Sequence, residues 1–539
     1  MYICRKKSSI DKMGTYINIG NEGFRYDRKG EYVDKSGLIR VINSTLFSKN
    51  LFTCVTRCRR FGKSMAAKML CAYYDHSCDS RELFADLEIA GDPSFEQHLN
   101  KYPVIYLDMT YFTTDHDDSK NIVERITTEL KNDLSETYPE STNKLKEDIS
   151  LIDFLLTIAT ATGEKFIMII DEWDAICREF LGNQEAMKNY VDWLRLLFKG
   201  NKSERVFAGV YMTGILPIKK YNTQSALNNF WQYTMVQPMG LESYFGFTRE
   251  EVHALCQRHG MDFEEMVKWY DGYQIGNQPS MFNPSSVMKA IASKSCDNFW
   301  AGTGAFDAIA NYIGMNYEGL KDDVIYMLSG GRCQVDTTGF DNDMAEVNNK
   351  NDVFTVLLHL GYLSYDKSED ECYIPNREVS GEMVNAVRRN NWKQVADAID
   401  NSKKLLNATL HGDAQTVAAG LDNVHEDSTS ILSYNDENSL SCAVTLAYYY
   451  AKNDYILCRE LATGKGFADI VMLPRKNVDK PALVVELKYD KDADTAIRQI
   501  HEKRYTGLVS EFTGDILLVG INYNKSQKKH NCVIERIRL

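Results

Sequence analysis

Between Leu51 and Tyr74 the chain reads LFTCVTRCRRFGKSMAAKMLCAYY, and this stretch limits the possible folds more than any other. Its first six residues are β-branched, aromatic or apolar, a short buried strand. After Ser64 come good helix formers at helical spacing. Phe61-Gly62-Lys63-Ser64 therefore falls between a strand and a helix N-terminus. There, free backbone N–H groups and the helix dipole favour bound phosphate. Lys63 is placed to reach β- and γ-phosphates, and Ser64 to ligate magnesium. The usual pattern G-x-x-x-x-G-K-[ST] opens on glycine, and Arg57 stands in that place. Alone, a GKS string is weak evidence.

A second segment strengthens it. KFIMIIDEWDAIC carries a strand over Phe166–Ile170 that ends in Asp171-Glu172. Two carboxylates at a strand's C-terminal tip suit magnesium-dependent nucleotide hydrolysis. Asp171 would hold the ion through water, and Glu172 would polarise the attacking water. A third strand, RVFAGVYMTG, brings Thr213 to its tip, placed to sense a γ-phosphate or position water. With strands at Pro103–Met109 and Tyr233–Met239, five strands alternate with helical stretches. That pattern predicts a doubly wound parallel sheet with ligands at the carboxyl ends of its strands.

The chain of 539 residues exceeds one hydrophobic core and implies about three domains. No apolar run approaches the roughly 18–20 residues that cross a bilayer, and the N-terminal residues lack a signal-peptide core. The 13 cysteines include no C-x-x-C pair, which points to buried free thiols in a reducing cytoplasm. The net charge of −13 argues against a protein coated in nucleic acid, but not against a local track. Residues 431–539 hold 16 Lys and Arg against 14 Asp and Glu, so the acidity lies elsewhere.

In the middle, WYDGYQIGNQPSMFNPSSVMKAI predicts an aromatic turn and then a helix capped by Asn283 with Pro284 at its first position. Asp271 and Tyr273 suit turn roles better than catalysis. From Val353 the order helix, strand, charged turn, strand, helix suggests the tail of a winged-helix module. Its DKSEDE turn repels phosphate, which favours protein contact. Residues 385–430 are polar and helical.

The C-terminal block contains GKGFADIVMLPRKNVDKPALVVELKYDK, two strands joined by a polar turn. The second presents Glu486 and Lys488 on one face, since side chains two apart on a strand point the same way. With Asp469 on the first strand, two carboxylates and a lysine can bind magnesium, activate water and stabilise a phosphorane. Charges inside a strand otherwise fit for burial require partners.

Together these stretches resemble the AAA-ATPase-like family, which joins such an ATPase to a C-terminal PD-(D/E)XK nuclease-like domain. TRCRRFGKS resembles that family's TRPRRFGKS loop, in which arginine replaces the first glycine. GEYVDKSGLI, IIDEWD, YFGFTREEV, WYDGYQIG, MFNPSSVMKAI, LLHLGYLSY and IPNREV resemble it as well, and Cys58 departs from the family's proline. The resemblance implies a nucleotide site of Arg57, Arg60, Phe61, Gly62, Lys63, Ser64, Met65, Asp171 and Thr213, with Glu172 catalytic. It also implies a helical lid after the ATPase sheet. In the C-terminal block Asp469, Glu486 and Lys488 stand on the PD-(D/E)XK motif positions. Gln499, Lys503 and Tyr505 follow on a helix toward nucleic acid, and Glu437 is offered as a further metal ligand. Asp436 or Glu437 could equally cap a helix.

The expected fold class is α/β and multidomain: a P-loop ATPase sheet, a helical lid with a winged-helix-like middle, and a restriction-endonuclease-like α/β core. Expected boundaries are 1–245, 246–385, 386–430 and 431–539. The implied activity is ATP binding and hydrolysis controlling a magnesium-dependent nuclease, with ATP and Mg2+ as cofactors. Nucleic acid, DNA before RNA, is the expected partner, with a nucleotide-dependent homo-oligomer and no membrane. The alternative is an ATP switch whose nuclease-like domain only binds nucleic acid or protein.

Overall fold

The computed structural model describes residues 14–538 except 115–120, 144, 147, 181–182, 219–226, 301–304, 316, 341–346, 391, 427–436, 464–465, 476–477 and 504–513. The chain divides into two compact units, Met1–Trp300 with Gln334–Glu378, and Ala301–Cys333 with Val379–Leu539.

The first unit is built on a parallel sheet of β1 (Phe52–Thr56), β2 (Val104–Asp108), β3 (Phe166–Asp171), β4 (Phe207–Gly214) and β5 (Trp231–Tyr233). The strand order is β2-β3-β4-β1-β5. Alternation along β3 builds both faces. Phe166, Met168 and Ile170 join one core with the helices Ile122–Thr137, Leu151–Thr162 and Gln184–Phe198. Ile167 and Ile169 join the opposite core with the helices Gly37–Thr45 and Lys63–Tyr74. Both faces are covered, which is why these strands read as continuous apolar runs. β1 lies between β4 and β5, so the loop leaving β1 opens where the strand order reverses.

The expected fifth strand differs from the one observed. The sequence predicts it over Tyr233–Met239, but β5 ends at Tyr233. Thr234 N–H donates to Gln237 O (2.9 Å), a turn that Pro238 and the positive φ of Met239 (45°) carry forward. The Thr234 N–H is spent within this turn and not on a neighbouring strand, so the ladder stops at Tyr233.

After this sheet come the helices Arg249–His259, Phe263–Tyr270 and Pro284–Ser293, packed on one another around Val252, Met266 and Val287. Asn283 accepts from the N–H groups of Ser285 (3.1 Å) and Ser286 (3.3 Å), with Pro284 at the first helical position, as its sequence predicts. Asp271 stands in the turn after the helix Phe263–Tyr270, whereas Tyr273, also expected in a turn, opens a short strand, Tyr273–Ile275. Asp271 accepts from Ser280 and from Gly272 N–H (2.6 Å each), and Tyr273 Oη donates to Gly361 O (2.9 Å). The predicted succession after residue 350 is present as helix Lys350–Leu360, strands Ser364–Asp366 and Glu371–Tyr373, and helix Arg377–Arg389.

The second unit holds the helices Lys393–Leu410 and Ala414–Glu426 in the stretch expected to be helical. Its sheet runs in the order Tyr455–Thr463, Gly466–Pro474, Ala482–Tyr489, Asp515–Asn524, Lys529–Arg538. Only the pair Ala482–Tyr489 and Asp515–Asn524 is parallel, and the helix Ala493–Lys503 lies between these strands in sequence. That helix packs tightly at Gly520, where an added Cβ would lie 2.5 Å from Ala493 O and 3.1 Å from Ala496 Cβ. Gly520→Ala should therefore push the helix off the sheet. We expect a loss of about 1–3 kcal/mol in the unfolding of this unit, read by calorimetry or urea titration.

Candidate functional site

In the first unit, the loop after β1 turns into the Lys63–Tyr74 helix through two left-handed residues, Arg60 (φ 69°) and Gly62 (φ 89°). Gly62 meets that conformation without a Cβ penalty, and a Cβ there would face open space. No side chain caps the helix start, so its first N–H groups point at that space. Lys63 is buried, 3.2 Å from Cys58 O and 3.5 Å from Glu172 Oε1.

Asp171 ends β3 opposite Asp108, which ends β2. Burial raises the Asp171 carboxyl to about 6; the Ser64 hydroxyl bonded to it pulls the other way, Glu172 and Asp108 raise it, and Lys63 lowers it. The Ser64 hydroxyl thus stands beside the Asp171 carboxyl at the strand tip. Glu172 follows in a left-handed conformation (φ 50°) and pairs with Arg178 Nη2 at 2.5 Å. The donor set, one hydroxyl and two carboxylates beside an uncapped helix start, is all hard oxygen and fits magnesium.

A cavity of about 360 Å³ opens on this corner, lined by Arg60, Phe61, Gly62, Lys63, Ser64, Met65 and Glu172. Sequence inspection missed its other walls: Tyr32 and Val33, then Tyr244, Phe247 and Met288. They lie inside GEYVDKSGLI, YFGFTREEV and MFNPSSVMKAI, stretches in which no residue type announces a ligand role, and only folding collects them. Lys35, also in the wall, bonds Glu251 at 2.6 Å and Ser243 O at 2.7 Å; Glu251 in turn closes a capping box with Thr248.

Two residues expected at the nucleotide stand elsewhere. Arg57 is fully buried, and its guanidinium donates to Thr56 O (2.9 Å), Tyr233 O (2.8 Å) and Leu241 O (3.3 Å) over the Phe245 ring. It ties the β1 tip to the chain beyond β5, and burial lowers it to about 10. Strand-end carbonyls buried together need donors, which is the physical reason an arginine faces inward here. Thr213 is also fully buried; its carbonyl accepts from Trp173 N–H (2.9 Å), and it does not line the cavity.

In the second unit, Glu486 and Lys488 lie on one face of their strand, Nζ to Oε1 at 2.9 Å, both buried. The ladder to the preceding strand stops at Ile470–Val485, and Asp469 Oδ2 accepts the next free amide, Leu487 N–H, at 2.7 Å. Gln499 donates to Glu486 Oε1 from the crossover helix. Glu486 Oε2 is buried without a partner. Burial first, then the Asp469 charge, raise the Glu486 carboxyl to about 7, against the pull of Lys488. An orphaned carboxylate oxygen beside a second carboxylate fits a hard divalent cation. Among the described residues no third acidic, histidine or cysteine ligand joins them. Lys503 is exposed at the end of its helix. The Glu437 side chain and Tyr505 lie outside the described residues.

Residues 18–223 match the family model described as predicted AAA-ATPase, and residues 436–532 match that of the PD-(D/E)XK nuclease superfamily. The chain joins an AAA-ATPase-like domain to a PD-(D/E)XK nuclease-like domain. The motifs from YFGFTREEV to IPNREV fall between the two matches. No curated protein matches the sequence. A solved structure, that of the Aeropyrum pernix ORC2 protein (ADPNP–ADP complexes), aligns at 11% identity over 69% of this chain and 97% of that one. Its TM-score is 0.26. Among the described residues no helix is long and apolar enough to cross a membrane.

The Glu486 carboxyl sets a pH dependence. In the fold it keeps its proton to about 7, whereas in the unfolded chain it titrates near 4.5. Between these values the folded state binds more protons, so stability falls as pH rises. In chelator, the nuclease-like domain should lose up to about 3 kcal/mol between pH 5 and 8. Magnesium should restore most of that loss, and Glu486→Gln should flatten the profile. Calorimetry of the full chain across this range checks it.

Proposed function

We propose that the AAA-ATPase-like domain binds and hydrolyses ATP and that the nuclease-like domain cleaves phosphodiester bonds with magnesium, under control of the nucleotide. The single observation that carries the first half is the cluster of buried Lys63 and Asp171 with half-buried Glu172 at an uncapped helix start. Phosphates seated on the helix N-terminus would draw on Lys63, whose present partners are a carbonyl and a carboxylate. Ser64 and Asp171 would hold the magnesium that neutralises charge on the phosphates. Glu172 would orient and deprotonate water. The apolar walls from Tyr32 to Met288 suit a nucleobase.

Lys63→Ala should abolish ATP binding in calorimetry, because it removes the main point charge facing the phosphates. Glu172→Gln should bind ATP and fail to turn it over. An unchanged ATP affinity in Lys63→Ala would place the site elsewhere.

The second half rests on the orphaned Glu486 Oε2 and its neighbours. Asp469 and Glu486 would hold magnesium, which supplies the Lewis acid for water and phosphate. Lys488, already charge-paired with Glu486, would face the scissile phosphate. Gln499 fixes Glu486 in place, and Lys503 is free to meet a phosphate backbone. DNA is the proposed polymer, ahead of RNA. A second reading, in which this domain only binds nucleic acid, is separated by cleavage assays on plasmid, linear and single-stranded DNA and on RNA, with and without ATP and magnesium. Asp469→Ala or Glu486→Ala should slow cleavage by roughly 10²–10⁴-fold with ATPase activity retained. Lys488→Ala should slow cleavage and leave metal binding largely intact. Cleavage at wild-type rates by both carboxylate variants would leave the binding-only reading in possession.

A further inference from the structure

We propose that Arg178 is a positioning residue for Glu172, holding one carboxylate oxygen so that the other is left for water; this rests on the ATPase reading of the first unit. No motif marks Arg178, which stands six residues beyond Glu172 in the short helix Ala175–Glu179.

Its guanidinium is nearly buried and forked. Nη2 reaches Glu172 Oε2 at 2.5 Å, and Nε reaches Asp174 Oδ2 at 3.0 Å. Asp174 is fully buried and is itself fixed, accepting from Ile215 N–H (3.1 Å) and Leu216 N–H (2.9 Å) just past the β4 tip. A planar guanidinium held at Nε by a fixed carboxylate has little freedom at the neighbouring Nη2. Glu172 needs such a hold, because its backbone sits in the left-handed region (φ 50°), which a non-glycine residue keeps only when its surroundings enforce it.

The two oxygens of Glu172 are therefore not equivalent. Oε2 belongs to Arg178, which cannot leave without uncovering Asp174. Oε1 faces Lys63 at 3.5 Å, a looser pairing with a side chain that phosphate would claim. Once Lys63 turns to the phosphates, Oε1 is released and Oε2 stays anchored. In hydrolysis the water oxygen bonds to the γ-phosphorus, the bond from that phosphorus to the β–γ bridging oxygen breaks with its electron pair leaving on ADP, and the water proton passes to Oε1.

The test uses the full chain with magnesium and ATP, comparing wild type, Lys63→Ala, Glu172→Gln, Arg178→Gln, Arg178→Lys and the double variant Glu172→Gln/Arg178→Gln. Arg178→Gln should lower kcat by roughly tenfold to a hundredfold with KM and calorimetric ATP affinity within about threefold of wild type. Arg178→Lys should recover part of the loss, because it keeps the charge. In the Glu172→Gln background, Arg178→Gln should remove nothing further, since both act through one carboxylate. The proposal is overturned if Arg178→Gln turns over at the wild-type rate, if it loses ATP affinity along with kcat, or if its effect adds in full to that of Glu172→Gln. Where Lys63→Ala abolishes binding and Arg178→Gln turns over at the wild-type rate, only the Arg178 assignment falls. Where Lys63→Ala binds ATP as wild type does, or wild type hydrolyses none, the ATPase reading falls and takes this one with it.

Discussion

An uncapped helix start beside a buried lysine, a buried carboxylate and a half-buried one is costly in a folded chain, and the first unit is organised around that cost. Burying unpaired charge is far more expensive than burying apolar surface, so each member must find compensation nearby. Lys63 takes the Cys58 carbonyl and Glu172. Glu172 takes Arg178, and Arg178 takes Asp174, which closes on the backbone beyond β4. The network satisfies its charges by touching β1, β3 and β4 at their tips, so the geometry of the sheet and that of the candidate site are one problem.

The loop itself is held from outside the sheet. Phe61 is buried edge-to-face against Tyr273 (5.1 Å), and its carbonyl accepts from Gly246 N–H (3.1 Å). At Gly246 an added Cβ would strike the Phe61 ring at 3.0 Å. Gly272, at φ 99°, lets the neighbouring turn approach Pro375 O, where a Cβ would come within 2.0 Å. The motifs WYDGYQIG and IPNREV therefore act on the loop after β1 through packing, without a cavity-lining side chain among Asp271 and Tyr273. In the second unit the corresponding economy is at Gly520: its missing side chain brings the Ala493–Lys503 helix close, and with it Gln499 to Glu486.

Much of this was legible residue by residue. The strand–GKS–helix corner, the Asp171-Glu172 tip, the Asn283 cap and the Glu486–Lys488 face each depend on neighbours within a few positions, where periodicity and capping chemistry act directly. Arg57 and Thr213 were misplaced because a strand-end residue's direction depends on which carbonyls and side chains other strands bring to it. The fifth strand is shorter than its apolar residues suggest, because Thr234 and Gln237 bond each other in a turn. Arg178 went unnoticed, since a lone arginine in a five-residue helix has no pattern.

The sequence by itself determined the alternation that builds two covered faces on β3, the glycine that permits φ 89° before Lys63, and the pair of charges two apart on a strand otherwise apolar. Those are local consequences of chain geometry, and any fold of this chain inherits them. The tertiary structure alone decided which charge meets which: that Arg57 turns inward to three carbonyls, that Arg178 divides itself between Glu172 and Asp174, that scattered apolar residues wall one cavity, and that one oxygen of Glu486 is left without a partner. Pairing among buried charges depends on distances of a few ångströms between segments far apart in sequence, and only the packed chain sets those distances.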